Sequence, residues 1–140
     1  MAILVSWLVS LLLFISVPIK KVDPSLALHY KEFMDVVQSD CPSLQLPNQL
    51  TIETGNLTDD NIGVCVVFSF RKHITIDNFY WNTSNEQTKR QLLFHELTHC
   101  VLNINHIESD SHYMNPYIIE ISNDELYKQL KETIKGVCNE

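Results

Sequence analysis

Residues His95 to Pro116 read H-E-L-T-H-C-V-L-N-I-N-H-I-E-S-D-S-H-Y-M-N-P. With the first part of that stretch helical, His95 and His99 stand one turn apart on one face, their Cβ atoms roughly 5 to 6 Å from each other. Two imidazoles so placed can close on a single zinc ion. Glu96 flanks the pair, where a carboxylate can take a proton from metal-bound water. Residue types and spacing together point to metal-assisted hydrolysis, with His95 and His99 as ligands and Glu96 as the base.

On a helical wheel of about 100° per residue, Leu93, Leu97, Val101 and Ile104 fall together opposite the histidines. The helix is therefore expected to have a core face and a separate ligand face. Thr83 and Ser84 stand three residues before Glu86 and Gln87, a capping box in either register, and nothing breaks the pattern from there to Leu102. Asn103, a residue type that tolerates positive φ, lies three before His106. The spacing predicts a helix ended by Asn103.

The stretch resembles the metzincin branch of the zincin metallopeptidases, whose pattern is H-E-x-x-H-x-x-G-x-x-H followed by a Met-containing turn. Leu102 stands in the glycine position of that pattern and Asn105 in the third-histidine position. A frame shifted by one residue, to Asn103 and His106, restores the pattern and implies His106 as third ligand, with His112 and Asp110 as competitors for that role. Ser111 to Pro116 is similar to the Met-turn, which implies Met114 beneath the metal. The spacing is also similar to that of small phage and bacterial predicted peptidases with H-E-L-G-H-C-x-L. The resemblance runs from about Ile74 to Pro116, less than a third of the chain.

What it implies is Zn2+ on His95, His99 and His106, and an endopeptidase whose metal-bound water is activated by Glu96 and whose substrate is a peptide or protein. It also implies that the strand before the active-site helix is a sheet edge, along which extended substrate can pair. Tyr113 or Tyr117 is a candidate hydrogen-bond donor to the oxyanion that develops. Two alternatives stay open. Glu120, 21 residues after His99, can be the third ligand, as in thermolysin-like (gluzincin-type) peptidases. The domain can also be a non-catalytic exported module that binds zinc without turnover.

At 140 residues the chain has room for one domain. A net charge of -7 with no basic cluster argues against nucleic acid as a partner. Ala2 to Val17 is an uncharged apolar run, shorter than the roughly 20 residues of a membrane-spanning helix. Residues 1–19 are therefore expected to be a signal peptide or N-terminal membrane anchor, and 23–140 a secreted or membrane-tethered domain. Lys20 and Lys21 after the run also admit a reversed anchor with a cytoplasmic domain.

Asp23-Pro24 predicts a helix start, with Leu26, Tyr30, Phe33, Met34 and Val37 facing the core and an end before Cys41-Pro42. His29 on that helix has no partner at metal spacing. Gln49 to Thr54, Val64 to Phe70 and His73 to Asp77 predict strands. Phe79, Tyr80 and Trp81 are expected to pack between the last strand and the active-site helix. Ser122 and Glu125 form a further capping box, opening a helix with Leu126, Leu130 and Ile134 inward and Gly136 at its end. The class is α+β: a short mixed sheet with an edge strand ahead of the active-site helix, plus N-terminal and C-terminal helices, and zincin-like by the resemblance.

Four cysteines, Cys41, Cys65, Cys100 and Cys138, admit three pairings, and an exported chain implies two disulfides. Cys100 falls toward the core face of the wheel, away from the histidines, and is a poor ligand candidate. Asn56-Leu57-Thr58 and Asn82-Thr83-Ser84 are glycosylation acceptor triplets.

Overall fold

The structure, a computed structural model, describes residues 19–139, so the expected signal peptide or anchor lies outside the described residues but for Ile19. In chain order the elements are β1 Ile19–Val22, α1 Ala27–Asp40, β2 Gln49–Gly55, β3 Gly63–Phe68, β4 Arg71–Asp77, α2 Asn78–Thr83, α3 Glu86–Leu102 and α4 Asn123–Cys138. This is the α+β class expected. The sheet order is β1-β2-β4-β3. β1, β2 and β4 run parallel, whereas β3 is antiparallel to β4. Among the described residues no helix is long and apolar enough to cross a membrane.

Period-two alternation sends Leu50 and Ile52 of β2 and Ile74 and Ile76 of β4 to one face, each 2% exposed or less. Helix α3 packs on β3 and β4, and α1 and α4 pack against α3. Phe33 of α1 and Tyr127 of α4 meet Phe94 of α3 edge to face, at 5.5 and 5.6 Å between ring centroids. Two disulfides tie the layers: Cys41 to Cys138 joins the ends of α1 and α4, and Cys65 to Cys100 joins β3 to α3. Both are of the kind that persists in oxidising compartments outside the cytosol.

Several boundaries differ from the sequence expectation for identifiable reasons. Asp23 and Pro24 shape a turn rather than cap α1: Asp23 Oδ1 accepts from Ser25 N, and the helix opens one turn later at Leu26. Thr83 and Ser84 do not cap α3, because their hydroxyls donate to Phe79 O and Tyr80 O at the close of α2. Asn85 caps α3 instead, accepting from Thr88 N. The Ser122 cap on α4 is as expected, but Gly136 does not end that helix, which runs on to Cys138. Trp81 is 3% exposed and packs as expected, whereas Phe79 is 77% exposed.

Two strands carry the larger corrections. Ile19–Val22 joins the sheet beside β2, so ordered structure begins ahead of Asp23. An edge strand does precede α3, but it is β3; the His73–Asp77 segment lies in β4, between β2 and β3.

Candidate metal centre

Helix α3 is covered on nearly all sides, with every residue from Gln91 to Thr98 buried. The ligand face expected to stand apart from the core is roofed by β3 and by the chain after the helix. Asn103 ends α3 in the left-handed conformation, φ 57° and ψ 34°, as its position before His106 required. Lys72 of β4 fixes that end, donating to Cys100 O at 2.5 Å and to Asn103 Oδ1 at 2.6 Å.

The chain then carries His106 back over the helix. His95 Nε2 lies 3.0 Å from His99 Nε2 and 3.2 Å from His106 Nε2. Among the described residues these three form the group of side chains able to hold a metal ion. Two of the three remaining ring nitrogens are spoken for: His95 Nδ1 donates to Tyr113 O at 2.9 Å and His99 Nδ1 to Ile104 O at 2.6 Å. A carbonyl only accepts, so each Nδ1 carries the proton and each Nε2 keeps its lone pair. Burial, with the charges of His99 and His106 adding to it, pushes the His95 imidazole down to about 4. Burial holds His99 below its usual value as well.

Converging imidazole lone pairs suit a metal ion, and the group runs from buried His95 through half-buried His99 to exposed His106. Tetrahedral coordination at about 2.0 to 2.1 Å places ligand nitrogens roughly 3.3 Å apart, close to the two separations observed. The donor set fits a metal ion.

Glu96 is 5% exposed. Among the described residues no side chain or backbone group hydrogen-bonds its carboxyl, and burial pushes it up to about 8. It sits under Gly63 at the start of β3, where a Cβ would stand 2.6 Å from Glu96 Oε1. Two cavities meet at Glu96 and His106. One, about 690 Å³, runs along β3 past Val64, Val67 and His99. The other, about 360 Å³, reaches Asp59, Asp60, Pro116 and Tyr117.

The remaining candidates fall elsewhere. Asp110 is exposed beside a different cavity, with Glu108 and Pro116. His112 accepts from Met114 N through Nδ1 and stacks on Tyr113. Glu120 lines a separate cavity with Tyr80, Gln87 and Gln91. None of the three belongs to the histidine group. Tyr113 is not placed to serve an oxyanion: it is fully buried, and its hydroxyl meets Thr98 Oγ1 at 2.9 Å. Tyr117 is 80% exposed at the cavity wall. Met114 is fully buried and its carbonyl accepts from Ile107 N, closing the loop that carries His106. Cys100 is in a disulfide.

Sequence reasoning missed Gln129 and Gly63. Gln129 of α4 accepts from Tyr113 N and donates to Ser111 O, holding the segment whose carbonyl orients His95. Its signal was faint, a polar residue beside the inward row of α4. Gly63 had a readable one: it is one of only three glycines in the chain, and a glycine at a strand start marks close approach. Comparison with protein-family models, with curated proteins and with solved structures gives no match to this chain.

Proposed function

We propose that the chain is a zinc-dependent endopeptidase. The observation that carries this reading is the convergence of three imidazole Nε2 atoms beside a buried, unpaired carboxyl group. His95, His99 and His106 would hold Zn2+, and imidazole donors of this kind suit that ion. Bound there, zinc supplies Lewis acidity, lowering the pKa of a water it carries toward about 7 and polarising a peptide carbonyl.

The protein's own groups do the rest. Glu96 takes a proton from the attacking water at its carboxylate and passes it to the leaving amine nitrogen. Tyr113 O and Ile104 O keep His95 and His99 in the tautomer that presents Nε2. β3 is the edge of the sheet that borders the larger cavity, and its outward N–H and C=O groups can align an extended peptide there. The disulfides fit work in an oxidising compartment, secreted or on a membrane's outer side.

Metal content of the purified, disulfide-intact protein and cleavage of fluorogenic peptide pools, with and without chelator, test the reading. One equivalent of zinc and chelator-sensitive cleavage are expected. Glu96→Gln should keep the zinc and lose turnover by about 100-fold or more, and His106→Ala should lose the zinc. Tight zinc with no cleavage of any pool would leave a metal-binding module.

A further inference from the structure

The strands align Ile19 with Gln49, Gln49 with Arg71 and Arg71 with Phe68, one row across the end of the sheet. The segments that meet there, residues 19–22, 45–50 and 66–72, hold Lys20, Lys21, Arg71 and Lys72, four of the chain's 10 lysines and arginines, and none of its 17 acidic residues. Lys72 is committed to the end of α3, whereas Lys20, Lys21 and Arg71 are exposed. Beside them Val66, Val67, Phe68 and Phe70 are exposed as well, Phe68 by 62% and Phe70 by 56%. Ser69 and Phe70 make the turn between β3 and β4, Ser69 with a φ of 52°. Two-residue turns favour glycine, asparagine and aspartate, so neither the turn nor the core accounts for an aromatic side chain at its tip. We propose that this end of the sheet lies against an anionic lipid bilayer, with Phe68 and Phe70 entering the headgroup region and Lys20, Lys21 and Arg71 meeting lipid phosphates.

The point at which the chain enters the fold selects the occupant. Before Ile19 the sequence carries the uncharged apolar run Ala2 to Val17, and Ile19 belongs to the same end row as Phe68 and Arg71. A bilayer that takes up the run therefore faces the hairpin tip. The charge fits that orientation and no other. At the opposite end the 56–62 loop holds Asp59 and Asp60, and Asp77 closes β4, so an anionic surface would repel it. Apolar side chains that enter the headgroups and bases that meet phosphates act together in such binding, each lysine or arginine contributing about fivefold. Leu28, Phe79 and Tyr117 are exposed too, but each stands alone in sequence, which is ordinary for a protein surface. The inference does not depend on the peptidase reading.

The test uses the full disulfide-bonded chain carrying Trp7→Phe, reconstituted with vesicles of phosphatidylcholine alone or mixed with phosphatidylglycerol, their acyl chains brominated to quench tryptophan. Trp81, 3% exposed, is then the parent's one tryptophan, and Phe70→Trp adds a reporter at the turn. In the mixed vesicles the added tryptophan should be quenched and Trp81 should not, with weaker quenching in phosphatidylcholine alone. Arg71→Gln should lower the ratio of docked to undocked protein about fivefold, whereas Lys31→Gln, near the start of α1, should leave it unchanged. Quenching that is absent, or indifferent both to phosphatidylglycerol and to Arg71→Gln, overturns the proposal. A reporter shielded from aqueous iodide on the vesicles yet unquenched by lipid overturns it as well and assigns the patch to protein. Shielding that fades as the vesicles are loaded more sparsely would then mark a second copy of the chain, and shielding that persists its own N-terminal run.

Discussion

Replacing Gly63 by alanine is expected to destabilise the protein through Glu96 and through nothing else. The new Cβ would stand 2.6 Å from Glu96 Oε1, 2.9 Å from Cγ and 3.0 Å from Cδ. Ordinary contact needs about 3.5 Å, so the carboxyl must shift by about 0.9 Å, away from β3, and the Cγ and Cδ atoms that the new Cβ also crowds must move with it. Overpacking of this kind costs about 1 to 3 kcal/mol. No glycine in the described residues has a positive φ, so alanine adds no backbone strain; it lowers unfolded-chain entropy, a gain of about 0.4 to 1 kcal/mol. That gain is the same whatever stands at position 96. In a Glu96→Ala background the Cβ enters vacated space, and Gly63→Ala should be neutral or stabilising. Urea unfolding of the four proteins in the cycle, disulfides intact, should give a coupling of about 1 to 3 kcal/mol. Equal losses in both backgrounds would refute the contact as the cause. The same displacement should lower turnover by about 100-fold while zinc content stays at the wild-type level.

Gln129→Leu should leave Tyr113 N and Ser111 O unpaired and loosen the carbonyl that orients His95, weakening zinc binding by about 10- to 100-fold; chelator competition measures this, and unchanged affinity would remove Gln129 from the site's support. Asn103→Gly and Asn103→Ala both remove the oxygen that accepts from Lys72, and Asn103→Ala should cost about 1 kcal/mol more than Asn103→Gly in thermal unfolding, because only alanine forces a Cβ residue into the left-handed region. Burial raises Glu32, but hydrogen bonds from Arg90 and His29 outweigh it and hold the carboxyl below its ordinary value. A group depressed in the folded state stabilises above its unfolded pKa and loses that contribution as pH falls through the folded one. Urea unfolding between about pH 5 and pH 2 should therefore show a shallower acid loss for Glu32→Gln than for the wild type.

What could be read from the sequence was local. The His95 and His99 pair follows from helical periodicity alone, and Asn103 announced the helix end because few residue types tolerate its backbone angles. The Ser122 cap followed from the same kind of short-range rule. Sheet order was out of reach: nothing in Ile74 and Ile76 says that β4 lies between β2 and β3, since alternation reports which face is buried and not which neighbour is paired. β1 carries two exposed lysines in four residues, a composition that protects a sheet edge and hides a strand from pattern reading. The pattern points to Thr83 or Ser84 as the cap of α3, and the cap is Asn85 instead because a short helix has already taken the Ser84 hydroxyl. The pairing of Cys65 with Cys100 depends on β3 crossing α3, a contact between segments 35 residues apart.

The same distinction explains why five letters of motif understate the site. His95 is oriented by the Tyr113 carbonyl, and that segment is held by Gln129 from α4. His99 is oriented by the Ile104 carbonyl, directly after the Asn103 turn that Lys72 of β4 fastens. Glu96 has its space defined by Gly63 on β3, the strand that the Cys65–Cys100 bond ties to the helix one turn farther on. Each of the three chemical groups therefore answers to a different element of the fold. Backbone carbonyls serve as the orienting partners of His95 and His99 in place of side-chain carboxylates, so the supports lie in geometry and leave almost no trace in residue type. A ring held by a neutral carbonyl also keeps the site's charge low, while the carboxyl of Glu96 borders both cavities at the histidine group.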